Sequence, residues 1–159
     1  MNAHTLDQID LDILRLLQQD ARLTSKELAY KLRKGNTTIF ARVTRMKTMG
    51  YITGSVTLID RKKFGDILIA FTQVNITNHS CETLTAFQEN VVHFPEVLEC
   101  YQMTGEYDFL LKIVVSDMTG YNNFLVQKLA RLENIGALES HFVITETKRE
   151  LGYPLESLL

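Results

Sequence analysis

The chain reads as an α+β protein in two parts, an N-terminal (winged) helix-turn-helix domain followed by a ferredoxin-like β-α-β-β-α-β domain. Three observations predict this. First, Thr24 and Glu27 form a capping-box pair ahead of a short apolar stripe. Gly35 and Asn36 interrupt it, and a second stripe follows. Two short helices across a tight Gly-containing turn suit a helix-turn-helix. Second, residues 67–147 alternate between β-rich and helical periodicity in the order β-α-β-β-α-β. Third, charge divides the chain. Residues 1–54 hold nine Lys/Arg against five Asp/Glu, a net of +4; residues 55–159 hold eight against fourteen, a net of −6, which together give the overall −2. A basic head on an acidic body argues against a body that wraps nucleic acid. The polar run 60–66 marks the boundary, so the head is expected over 1–60 and the body over 61–159.

In the head, residues 7–19 are expected to form a bracing helix with Ile9, Ile13, Leu16 and Leu17 inward. Asp7, Asp10 and Asp12 complement its dipole. No Gly-centred loop supports a calcium reading of these acids. The second helix follows Thr24, with Leu28, Ala29 and Leu32 as its apolar face. The third starts at Asn36 or Thr37 as cap, buries Ile39, Val43 and Met46, and ends at Gly50. Its outer face then carries Thr37, Thr38, Ala41, Thr44, Arg45 and Thr48, with Arg42 at the edge. Small hydroxyls, an alanine and arginines suit a major groove, where they bond phosphates and touch base edges and thymine methyls. Between residues 23 and 49, seven basic residues (Lys26, Lys31, Arg33, Lys34, Arg42, Arg45, Lys47) face one acid, Glu27, a net of +6. The competing reading is the solvated face of an ordinary helical pair; the one-sided charge favours DNA. The candidate DNA-binding residues are Asn36, Thr37, Thr38, Ala41, Arg42 and Arg45. Residues 51–59 are β-rich and broken by Gly54, which predicts a short strand or wing leading into a linker.

In the body, strands are expected over 67–76, 97–104, 107–115 and 137–147, and helices over 80–93 and 118–132, the latter capped by Asp117. Gly105 and Glu106 turn the central hairpin. Helices on one face leave the other face of a small sheet open. Ile67, Ile69, Phe71 and Gln73 alternate with Leu68, Ala70, Thr72 and Val74, and Phe109, Leu111 and Ile113 with Leu110, Lys112 and Val114, so both faces are largely apolar. A second subunit is therefore expected on the open face, and a two-fold dimer presents two heads to a two-fold DNA site.

Cys81 and Cys100 have no metal-ligand spacing and are expected to be reduced thiols, at least one of them packed in the core. No apolar run approaches the ~20 residues of a membrane span, and no secretory signal opens the chain, so a cytoplasmic protein without membrane contact is expected.

The chain resembles the leucine-responsive regulator/AsnC, or feast/famine, family of transcription factors over about residues 6–148. In the head the likeness rests on Leu6-Asp7-x-Ile9-Asp10-x-Asp12-Ile13-Leu14, Asp20-x-Arg22, Glu27-Leu28-Ala29, Arg42-Val43-x-Arg45-Met46 and Gly50-Tyr51-Ile52. In the body it rests on Thr104-Gly105-Glu106-Tyr107-Asp108, Asp117-Met118 with Tyr121, and Val143-Ile144-Thr145 with Lys148. The resemblance implies a double-stranded DNA partner, homodimers joined into octamers or larger discs, no cofactor, and a small effector, commonly an amino acid, held between body domains. It places Thr104, Gly105, Glu106, Tyr107 and Asp108 at the effector site. Gly105 would let the backbone approach a ligand and expose amides to a carboxylate; Asp108 would take an ammonium. The plainer reading is a hairpin turn whose Asp108 satisfies local amides.

Two departures stand out. Where the family usually has Gly-Leu-Ser-Pro, this chain has Arg33-Lys34-Gly35-Asn36, which predicts a shifted turn. The tail from Leu151 to Leu159 is apolar and is expected either across a subunit interface or over its own domain. Two other functions fit the two-part build: a decarboxylase of haem biosynthesis, or a metabolite-binding body with a protein-binding head. Against the enzyme, His4, His79, His93 and His141 are scattered and form no catalytic or metal cluster in the sequence.

Overall fold

A computed structural model describes residues 6–155. His4 and the last four residues of the tail lie outside them. The chain divides into two compact units, residues up to 58 together with those from 148 onward, and residues 59–147.

The first unit is the head. Helix α1 (Gln8–Gln19) starts at Asp7, whose carboxylate accepts from the Asp10 amide while that of Asp10 accepts from the Asp7 amide. The aspartates expected only to favour the dipole thus form a reciprocal capping box. Helix α2 (Ser25–Leu32) begins with the Thr24–Glu27 capping box. It ends at Arg33, which is left-handed at φ +52°. Helix α3 (Asn36–Thr48) follows, and Gly50, at φ +79°, lies just past its end. The expected cap of α3 is corrected. Asn36 is the first helical residue, and the capping position belongs to Gly35, which has no side chain to accept an amide. Ile13, Leu28, Ala29, Ile39 and Met46 form the buried centre, with Ile9, Leu16, Leu17, Leu32 and Val43 packed around it. The stripe spacings predicted these faces; truncating Ile13, Leu28, Ile39 or Met46 to alanine removes about 2–5 kcal/mol each.

No strand forms in residues 51–60, against the expected wing. β propensity without a pairing partner leaves the backbone amides no ladder to join. Val56, Leu58 and Ile59 are exposed there. The tail, expected with the body, groups with the head instead. The Gln18 side chain grips the Tyr153 backbone at both groups, accepting from its N–H at 2.6 Å and donating to its carbonyl at 3.2 Å. Gly152 lies so close that a Cβ there would stand 3.1 Å from the Gln18 Oε1.

The second unit is the body, with strands β1 (Leu68–Ile76), β2 (Val97–Gln102), β3 (Phe109–Val115) and β4 (Ile135–Phe142) and helices α4 (Cys81–Val91) and α5 (Met118–Gln127). The helix expected to reach 132 gives way to a 3₁₀ turn at Leu129–Arg131. The sheet order is β2-β3-β1-β4, antiparallel throughout, the ferredoxin-like arrangement. On β1, Ala70, Val74 and Ile76 enter the core beneath the helices with Phe87, Phe109, Leu111, Ile113 and Phe124. Buried Thr72 bonds the Tyr121 hydroxyl of α5 at 2.9 Å, so the polar atom on this face is satisfied. Cys100 packs against the core and burial pushes its thiol up; Cys81 is exposed.

Candidate nucleic-acid interface and effector loop

Ile39 and Met46 are fully buried on α3, which fixes how the helix is turned. Thr37, Thr38, Ala41, Thr44, Arg45 and Thr48 are exposed as the periodicity requires, and Asn36 is exposed at the helix start. Arg42 is not part of that outer face. Its guanidinium turns back to α1 and donates to Asp7 at 2.8 and 2.7 Å and to Asp10 at 2.9 Å. Only 23 % of its side chain is accessible. Arg45 also reaches Asp10, at 2.5 Å, while keeping 43 % of its side chain exposed. Asp10 is fully buried. A buried carboxylate draws the nearest cations to itself, and this overrides the simple helical placement of Arg42. Hydrogen bonds from Arg42 and from the Asp10 amide hold the Asp7 carboxyl below its usual range.

Two exposed aromatics lie outside the set of residues expected at the interface, Tyr30 on α2 (86 % exposed) and Phe40 on α3 (61 %). The signal was present for Phe40. It lies three residues after Thr37 and four before Thr44, adjacent to both on one helical side.

In the body, residues 103–108 join β2 to β3. The Met103 amide donates to the Asp108 carbonyl at 2.8 Å and the Asp108 amide to the Val74 carbonyl at 3.0 Å. Gly105 sits at φ +117°, where other residues are strained. The Glu106 carbonyl accepts from the Asn75 side chain at 2.8 Å. Among the described residues, none accepts from the amides of Thr104, Gly105, Glu106 or Tyr107. The ammonium role expected for Asp108 is corrected. Its carboxylate accepts from the Ile76 amide at 2.7 Å and lies 2.9 and 3.0 Å from the His79 Nε2. The bond from the Ile76 amide, then that with His79, keeps its pKa below the ordinary value. Asp108 therefore clamps the loop to the end of β1, as in the plainer hairpin reading. Asn75 and His79 were invisible as partners because they lie about thirty residues away in the chain.

Comparison with known proteins identifies the build. The family model described as Lrp/AsnC ligand binding domain matches residues 69–153, and one described as winged helix-turn-helix DNA-binding matches residues 6–53. Transcriptional regulator AzlB of Bacillus subtilis is 33 % identical over 153 residues, covering 96 % of this chain and 98 % of its own. The crystal structure of an AsnC family transcriptional regulator from Agrobacterium tumefaciens is similar with a TM-score of 0.90 at 35 % identity, covering 97 % of this chain and all of that one. A transcriptional regulator from Neisseria meningitidis, solved as a complex with L-Met, gives a TM-score of 0.89 at 30 % identity, covering 98 % of this chain and all of the other. These relatives are regulators, which removes the decarboxylase reading. This chain belongs to the Lrp/AsnC family of DNA-binding transcriptional regulators.

Proposed function

We propose that the outer face of α3 enters the major groove of double-stranded DNA, and that an amino acid or similar amphoteric metabolite, bound at residues 104–108 against a neighbouring subunit, governs the response. The observation that carries the DNA part is the coincidence of an exposed small-residue face on α3 with the +6 charge of residues 23–49. Asn36, Thr37, Thr38, Ala41 and Arg45 make the face. Arg42 supports it from behind by holding α3 to α1. The salt dependence of binding to a selected operator tests this. Each lost phosphate contact should flatten the log–log slope by about 0.9, so Lys34→Ala or Lys47→Ala lowers affinity and slope together. A slope unchanged in every lysine variant of this region would refute the placement.

For the effector, the support is a loop with unaccepted amides at Gly105 and its neighbours, together with the L-Met complex of a similar regulator. Amides at a left-handed glycine suit a carboxylate. With Asp108 committed to Ile76 and His79, the ammonium partner comes from Glu106 or from the adjoining subunit. A thermal-shift screen of amino acids should find one that stabilises the wild type. At 100 times its Kd it adds about 2.7 kcal/mol. Gly105→Ala should lose that shift. Equal stabilisation of both proteins would put the site elsewhere.

A further inference from the structure

Of the two arginines of α3, Arg42 is drawn off the outer face and Arg45 stays on it partly engaged, and the rest of that face carries several methyl groups. Arg42 spends its guanidinium on Asp7 and Asp10, and Arg45 gives one nitrogen to Asp10. Guanine is read in the major groove chiefly by a free, two-pronged arginine or lysine, whereas thymine offers a C5 methyl to Ala, the Thr methyl or Phe. Thr37, Phe40, Ala41, Thr44 and Thr48 are all exposed along α3. The Thr48 hydroxyl is occupied as well, donating to the Thr44 carbonyl at 3.1 Å. An exposed phenylalanine on a soluble face has no gain from water; inside a groove lined with methyl groups it does.

The geometry points to Phe40, with the methyl groups of Thr37, Ala41 and Thr44 beside it, as a specificity determinant that reads thymine methyls, so that the operator contacts of α3 are A·T pairs. This rests on the outer face of α3 being the DNA surface. The surrounding +6 charge holds the phosphates, which carry no sequence information. Base choice then falls to the apolar strip. A phenylalanine spans more than one base step, so two adjacent thymines on one strand, or one on each, would satisfy it.

The experiment uses the full chain. Binding sites are selected from a random double-stranded DNA pool, and each thymine of the selected half-site is replaced in turn by uracil. Uracil keeps the pairing edge and the O4 acceptor and loses only the C5 methyl. At the thymines under α3, uracil should weaken wild-type binding about fourfold each, the fold-change given by ~0.8 kcal/mol per buried methyl group. Phe40→Ala should bind the thymine site more weakly and show no uracil penalty at one or two of those positions. Thr44→Ser, which removes a single methyl and keeps the hydroxyl, should lose the penalty at a neighbouring one. Both positions are exposed, so the variants keep the wild-type melting temperature, which is measured alongside. A half-site read through guanines, or uracil penalties that Phe40→Ala and Thr44→Ser leave unchanged, overturns the inference while leaving the DNA face in place. A wild-type chain that selects no site, with phosphate-lysine variants also without effect, overturns the DNA face itself.

Discussion

Asp10 shows how one residue redirects its neighbours. The carboxylate is fully buried, and α3 supplies two guanidiniums to it across 32 and 35 residues of sequence. Removing one cation leaves a buried acceptor short of a partner, at a cost of about 1–3 kcal/mol. Arg42→Ala should therefore destabilise the head by that amount in chemical denaturation. DNA affinity should fall mainly through lost folding, recovering at low temperature or with a stabilising osmolyte. A fully stable Arg42→Ala protein would contradict this role. Asp20 makes a second, separable prediction. The Arg22 guanidinium donates to both its oxygens, at 2.9 and 3.0 Å, and the Arg22 amide donates to Asp20 Oδ1 at 3.0 Å. The Arg22 side chain, then its amide, brings the Asp20 pKa down from 3.8 to about 2. A depressed carboxyl stabilises the fold above its unfolded value and loses that contribution as pH falls through the folded one. The contribution of Asp20 should thus be complete above pH ~4 and vanish towards pH 2. Titration of Asp20 by NMR should give about 2 in the wild type and a value near 3.8 in Arg22→Ala.

At the scale of elements, the turn of the helix-turn-helix is held in an unusual way. The residue with positive φ is Arg33, and Gly35 sits at φ −68° as the cap of α3. A left-handed residue with a side chain costs about 1–2 kcal/mol, against about 0.4–1 kcal/mol of extra unfolded-state freedom for glycine. Arg33→Gly should then raise the stability of the head by about 0.5–1 kcal/mol in thermal unfolding; a destabilised variant would show that Arg33 makes contacts that outweigh the strain. The tail gives another test. Gln18→Ala removes both bonds to the Tyr153 backbone, so limited proteolysis should cut residues 148–155 faster while the rest of the chain resists as before. These elements also mark what the sequence reveals and conceals. Helices starting at Asp7, Thr24, Ser80 and Asp117 are legible because a capping side chain and its amide lie three residues apart. The β-α-β-β-α-β order is legible because each element carries its own periodicity. The start of α3 was misplaced because asparagine is the better capping residue in isolation, yet the left-handed Arg33 sets where the turn ends. Arg42, Asp108 and the tail were misread for one reason: their partners Asp10, Ile76 with His79, and Gln18 are far away in the chain, and no local rule connects them.

For the whole molecule, the open face of the body sheet is where a second copy is expected to pack. Ala70, Val74 and Ile76 point to the helices, so the alternation of β1 puts Ile69, Phe71 and Gln73 on the other side. Opposite them on β3 stand Val114, Lys112 and Leu110 by register. Lys112 in this patch is paired with Glu99 of β2 at 2.7 Å, which lowers the cost of covering it, and Glu139 and His141 of β4 stand at its edge opposite Gln73 and Phe71. Phe71, Leu110 and Val114 are half-buried already, and further cover by a second copy would remove their remaining apolar surface from water at about 25 cal/mol per Å². Residues 59–147 alone are therefore expected to dimerise. Light scattering should find the dimer at micromolar concentration, and Phe71→Glu, which puts a charge at the centre of the patch, should give a folded monomer with an unchanged circular dichroism spectrum. The consequence reaches DNA. In a dimer the second head meets its half-site as an intramolecular event, at an effective concentration that lifts affinity by ~100-fold or more. Full-length Phe71→Glu should bind a two-half-site operator about as weakly as the wild type binds a single half-site, although residue 71 lies in a different unit from α3. A wild-type body that stays monomeric, or a Phe71→Glu chain that retains full two-site affinity, would move the dimer contact to another surface.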